Sequence, residues 1–183
     1  MPVSIGARPE SGFDQPLGLL GDCHRRIECF LGVLITVVEQ AQGGALNEEQ
    51  RRALEVALRY FREAAPRHTQ DEEESLFPRM RACPDVRVRA ALDKLAGLEA
   101  DHARAQAGHE EVDRLGREWL QAGALDPAAA DRLRTVLSEL RSLYAAHIHL
   151  EDTELFPLAG ATLTAGQLAA VGEEMARRRG IAR

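Results

Sequence analysis

A chain of 183 residues that is 45% hydrophobic with a net charge of −6 is long enough to bury one core and too apolar to stay disordered. Its arginines are interleaved with acids rather than gathered in a stripe, which argues against nucleic acid as a partner. No apolar run of 18 residues and no secretory signal stand in it, so a soluble, cytoplasmic protein without a membrane partner is expected. Nothing in it fixes an oligomeric state.

Aromatics make up only 4% of the chain, while Ala, Leu, Arg and Glu dominate. That is the composition of helices rather than of strands, and the expected fold class is all-α. Residues 1–15, rich in Gly and Pro, read as a flexible leader. A first helix runs from Pro16 to Gln42 and stops at Gly43-Gly44. Asn47 with Gln50 reads as an N-cap and its capping-box partner. The second helix follows to about Arg81 and carries an internal breaker, Pro66, where a kink is expected. Cys83-Pro84-Asp85 turns the chain into a third helix, from Val86 to about Gln121. Asp126-Pro127 caps a fourth, which runs to about Leu155 and ends near Phe156-Pro157. Thr164 opens a short fifth helix that stops at Gly180. Connections this short make sequential helices antiparallel neighbours, giving an up-down-up-down four-helix bundle over residues 16–160. Residues 161–183 then form a C-terminal helix that packs on the bundle or stays partly mobile. Cys23, Cys29 and Cys83 form neither a C-x-x-C pair nor an even set, so reduced thiols are expected.

The stretch HTQDEEESLFP, His68 to Pro78, has a near-copy in HIHLEDTELFP, His147 to Pro157. Residues of antiparallel helices share a level when their midpoint falls in the connecting turn. The midpoints of His24/His68, His68/His102 and His102/His147 are 46, 85 and 124.5, each inside a predicted turn. One histidine per helix therefore stands at one height. The chain also reads as two similar hairpins, since His24 to His102 spans 78 residues and His68 to His147 spans 79. In a helix, i and i+4 share a face about 6 Å apart along the axis, so Glu72 joins His68 and Glu151 joins His147. Four imidazoles and two carboxylates then converge in a core where an unpaired carboxylate costs several kcal/mol. Six N/O ligands without a thiolate suit a carboxylate-bridged pair of iron or manganese ions better than one tetrahedral zinc.

At these residues the chain resembles the hemerythrin-like (HHE cation-binding) family. The resemblance covers roughly residues 16 to 160 and implies a non-haem di-iron centre, two Fe2+/Fe3+ ions with an oxo or hydroxo bridge. It carries over onto His24, His68, Glu72, His102, His147 and Glu151 as metal ligands, with manganese or zinc as the other ions such a set takes. The oxygen-carrying members have His-x-x-x-His on the third helix, and Gln106 stands where the fifth imidazole would be. They also place the last carboxylate five residues after its histidine, at Asp152 here. Five residues turn a helix through about 500°, well off the His147 face, whereas four return it to within about 40°. Glu151 is preferred on that ground.

One turn deeper, Glu28, Ala64, Gln106 and Leu143 are expected to level, and two turns deeper Leu31, Phe61, His109 and Leu140. Glu28 has three roles open: metal ligand, hydrogen-bond partner of a bound ligand, or solvated side chain. Gln106 and His109 are further candidates for the ligand set or its support. Leu31, Phe61, Leu140 and Leu143 are the expected pocket walls. Three functions fit. The first is binding or sensing of dioxygen or a related diatomic, or iron buffering, without catalysis. The second is a di-iron oxidoreductase acting on peroxide, nitric oxide or oxygen, and the third is regulation by iron occupancy.

Overall fold

The computed structural model describes residues 11–181; the first ten residues of the expected leader lie outside that range. Every regular element among the described residues is helical. Helix α1 spans Pro16–Ala41, α2 Glu48–Glu63 and α3 Ala65–Gln70. After a π-helical turn at Asp71–Leu76, α4 spans Phe77–Ala82. Then come α5 (Val86–Ala90), α6 (Leu92–Ala122) and α7 (Pro127–Leu150), a second π-helical turn at Glu151–Leu155, α8 (Phe156–Thr162) and α9 (Ala165–Arg178).

The boundaries follow the expected caps. Asn47 and Gln50 form a reciprocal capping box, as do Thr164 and Gln167, and the Asp126 carboxylate accepts from the N–H groups of Ala128 and Ala129. The break before Pro66 falls at Ala64, where the ring meets the preceding turn. The expected third helix is interrupted at Ala91, so α5 and α6 are separate pieces.

One expectation is overturned. Leu155-Phe156-Pro157 does not end the fourth helix, which continues to Thr162, while Leu76-Phe77-Pro78 likewise lies inside a helix that ends near Arg81 as expected. In both copies the backbone widens by one residue just before the Phe: Phe77 N–H donates to the Glu72 carbonyl and Phe156 N–H to the Glu151 carbonyl. A proline inside a regular helix removes a donor and collides with the carbonyl four residues back. The widened turn accommodates the ring, and the helix continues as α4 and α8.

Helix α1 packs on α2 and α7, and α6 packs on the same two. The ends of α1 and α6 meet at one pole, where Leu125 N–H donates to the Gly43 carbonyl (2.8 Å) and the Trp119 indole to the Gly44 carbonyl (2.8 Å). Gly43 holds φ +79°, and a Cβ there would press on Ala130, so this junction needs glycine.

The apolar interior is in two parts. One cluster, with Ile27, Leu34, Phe61, Trp119 and Leu133, fills the pole of the α1 and α6 ends. The other, with Leu20, Phe77, Leu95, Leu155 and Met175, fills the opposite pole and takes in α9. Between them lies a layer of buried histidine and glutamate.

A candidate dinuclear metal centre

The six residues expected to converge do so. His24 comes from α1, His68 from α3, His102 from α6 and His147 from α7, while Glu72 and Glu151 sit in the two π-turns. All six are buried, the two glutamates completely. His24, His68, Glu72 and Glu151 form one group whose ligand atoms lie within 4.8 Å of one another, and Glu72, His102, His147 and Glu151 form a second. Each hairpin supplies the histidines of one group, and both glutamates belong to both.

The contacts match that sharing. Glu72 presents Oε1 to His68 Nε2 at 3.4 Å and Oε2 to His102 Nε2 at 3.3 Å. Glu151 Oε2 lies 3.1 Å from Nε2 of both His24 and His147. None of the four carboxylate oxygens has a hydrogen-bond donor among the described residues. A buried carboxylate in that condition is costly, and a cation bound by the facing imidazoles removes the cost. The donor set therefore fits a pair of ions.

The outer nitrogens show how the histidines are aimed. His102 Nδ1 donates to Glu73 Oε1 and His24 Nδ1 to Asp152 Oδ1, both at 2.8 Å. A carboxylate only accepts, so these Nδ1 atoms carry a proton, and Nε2 is the nitrogen turned towards the centre, open to an ion once its own proton leaves. Phe77 lies parallel to the His102 ring and Phe156 to the His24 ring, with centroids 6.3 and 5.3 Å apart. Each motif copy thus supplies one ligand pair, and through its next acid and its Phe it steadies the lone histidine of the other hairpin. Asp152, set aside as a ligand on rotation grounds, stands in that supporting place with a 43% exposed side chain.

Without metal, protons do part of the ion's work. Burial pushes the His24 imidazole down, but Asp152, Glu151 and Glu72 outweigh it and raise its pKa to about 12. Burial likewise opposes a charged His102, and Glu72 and Glu73 raise it to about 9. Burial would raise Glu72, yet the facing His68, His102 and His24 hold it well below the usual carboxylate range.

The surrounding layers correct several expectations. Glu28 is exposed and faces a groove between α1 and α7, so it is not placed to be a ligand. Gln106 is exposed at the rim and donates to Glu110, and Leu143 is half-buried in an outer groove. The inner layer one turn deeper is instead Ile27, Ala65, Ala105 and Tyr144. Each lies three residues from its histidine, not four, because a packed helical seam alternates three- and four-residue steps. The next layer, seven residues away, falls where expected: Leu31, Phe61, His109 and Leu140 are all buried. Leu31 and Leu140 belong to the core rather than to the cavity wall.

A cavity of about 30 Å³ adjoins the four imidazoles, walled by Ile27, Phe61, Ala105, Ile148, His109 and Tyr144. It holds one or two water-sized groups. His109 lies outside both ligand groups; it stacks on Phe61 at 4.1 Å and meets the Tyr144 hydroxyl through Nε2 at 2.9 Å. Tyr144 was not anticipated, although it sits three residues before His147.

Residues 15–159 match the family described as the Hemerythrin HHE cation binding domain. An uncharacterized protein of Haemophilus influenzae is 25% identical over 167 residues, covering 91% of this chain and 91% of that one.

Proposed function

The chain belongs to the hemerythrin HHE cation-binding family, and from that premise we propose that it is a non-haem di-iron protein that binds dioxygen or a related diatomic ligand for sensing, buffering or storage. The observation that carries this reading is the sharing of Glu72 and Glu151 between two histidine pairs, beside a cavity of diatomic size. The four packed segments are read as the up-down-up-down bundle of the family.

A bound pair of redox-active ions supplies electrons to a diatomic ligand. The protein's part is to hold and shield. His24 and His68 would hold one ion and His102 and His147 the other, with Glu72 and Glu151 available to both. Two carboxylates against two divalent cations would leave a positive balance, which would favour an electron-rich ligand. The apolar walls of Ile27, Phe61 and Ile148 keep bulk water away. The cavity is too small for an organic substrate, and Glu28, the acid that would have moved the site towards carboxylate-rich oxidase chemistry, faces solvent. The exposure of Glu28 is the ground on which binding is preferred to turnover of peroxide or nitric oxide, which the cavity would also admit. All three cysteines are free and no described helix is long and apolar enough to cross a membrane, which supports a cytoplasmic setting.

Manganese and zinc compete for such ligands, so the test begins with metal analysis of protein purified without air from its own host. About two irons per chain are expected, with a visible absorption band that appears in air and reverses under argon. Colourless protein carrying zinc alone would sink the proposal.

A further inference from the structure

The wall of the cavity carries two polar side chains that the ligand set does not use. His109 and Tyr144 are both buried, their only mutual polar contact is His109 Nε2 to the Tyr144 hydroxyl at 2.9 Å, and both line the cavity together with the four imidazoles. Which of the two donates decides what the cavity offers a ligand.

His109 Nδ1 has no hydrogen-bond partner among the described residues. Burial lowers the His109 pKa to about 4, so the ring is neutral and carries one N–H. Two arrangements are open. With the proton on Nδ1, a buried N–H is orphaned and Tyr144 spends its proton on Nε2. With the proton on Nε2, that N–H donates to the Tyr144 oxygen, and only a lone pair at Nδ1 is left unpaired. Orphaned buried N–H groups are the rarer and costlier defect. The second arrangement is favoured, and it leaves the Tyr144 O–H free of His109.

Most of the wall cannot take that proton, since Ile27, Phe61, Ala65, Ala105 and Ile148 have no side-chain acceptor. Thr69 and Gln106, which also line the cavity, have no hydrogen bond to Tyr144, and Gln106 turns its amide to Glu110. The Phe61 ring, stacked on His109 at 4.1 Å and 17°, keeps the imidazole from turning to offer its other nitrogen. Tyr144 also stands edge-on to the His147 ring, with centroids 6.4 Å apart. The hydroxyl therefore belongs to a side chain that lines the same cavity as the four imidazoles.

We propose that Tyr144 is the hydrogen-bond donor to the small ligand bound in this cavity, selecting electron-rich, acceptor-ended species such as dioxygen, peroxide or azide, and that His109 is a positioning residue that turns the hydroxyl proton towards the ligand. The proposal rests on the di-metal reading above. It goes beyond it by naming which side chain discriminates among small ligands.

Two measurements on the full chain test it. In ¹⁵N-labelled metal-free protein, the His109 ring should show the Nε2–H tautomer; an Nδ1–H tautomer overturns the proposal whatever the metal does. In ferric protein, azide titration followed in the visible should give a dissociation constant about 10-fold or more weaker for Tyr144→Phe than for wild type, at equal iron content. Equal azide affinity at equal iron content also overturns it. Wild-type protein that takes up no iron sinks the di-metal reading instead, and a Tyr144→Phe chain that does not fold leaves the tautomer to decide.

Discussion

In the first motif copy the residue before Glu72 is Asp71, fully buried and gripped by two arginines at the end of α9. Arg178 Nη1 donates to its Oδ1 at 2.9 Å and Arg179 Nη2 to its Oδ2 at 2.6 Å. In the second copy the same place holds Leu150, half-buried among apolar side chains of the adjoining core. The copies agree on everything that faces the metal centre: the histidine, the glutamate, the following acid and the stacking Phe. They differ on what faces away. The inward-facing residues do the same work in both copies, whereas the outer surface of each π-turn carries the residue that suits its neighbour. For the first turn that is α9; for the second it is a surface where Lys94 pairs with Glu154.

The largest effect should be the one that treats the copies alike. Because each glutamate belongs to both ligand groups, Glu72→Gln and Glu151→Gln should each reduce metal content from about two ions per chain to near none. Elemental analysis that finds one ion retained in either variant would end the claim that the carboxylates are shared.

A smaller effect should separate the copies. Asp71→Ala leaves two partly buried guanidinium groups without their carboxylate and should cost about 3–5 kcal/mol in urea unfolding. Leu150→Ala removes half-buried apolar surface and should cost about 1–2 kcal/mol. Equal losses would mean that the arginine clamp adds nothing to the packing of α9.

Much of this was legible beforehand. The caps at Asn47, Asp126 and Thr164 and the breaker at Pro66 mark where helices start because their side-chain chemistry is local. The six converging residues were readable because duplication supplied an internal control on level and face. What escaped depends on how helices pack rather than on any one helix. Stepping four residues from each histidine reached Glu28, Gln106 and Leu143, whereas the seam steps three and reaches Ile27, Ala105 and Tyr144. The π-turns escaped because a widened turn has no composition of its own and the prolines look like terminators. The clamp on Asp71 joins residues more than a hundred positions apart, and no spacing rule reaches that far.

The finest comparison lies between the two lone histidines. Burial works against the charge on both, but carboxylates raise His24 to about 12 and His102 to about 9. An unfolded chain has both at the ordinary value near 6.5. In metal-free protein, protonation therefore stabilises the fold fully below about pH 6.5, and the contribution shrinks as pH rises, exhausted near pH 9 for His102 and only near pH 12 for His24. Bound ions replace those protons, so the loaded protein should show little of this slope. Melting temperatures from pH 6.5 to 10, with and without metal, test it; parallel curves would show that the protons do not stand in for the ions.

The widened turns also set a rule about length. Each inserts one surplus residue between a buried glutamate and the Phe that stacks on the far hairpin's histidine. The surplus residue is absorbed by the wide turn, which spreads five residues over about the arc that a regular helix covers with four. Deleting one residue between Glu72 and Phe77 would restore regular pitch and leave Phe77 on nearly the same face, so a relative one residue shorter can keep both ends of the motif. Gap placement in an alignment across these eleven positions is therefore a structural statement, and a one-residue gap there marks a turn of regular pitch.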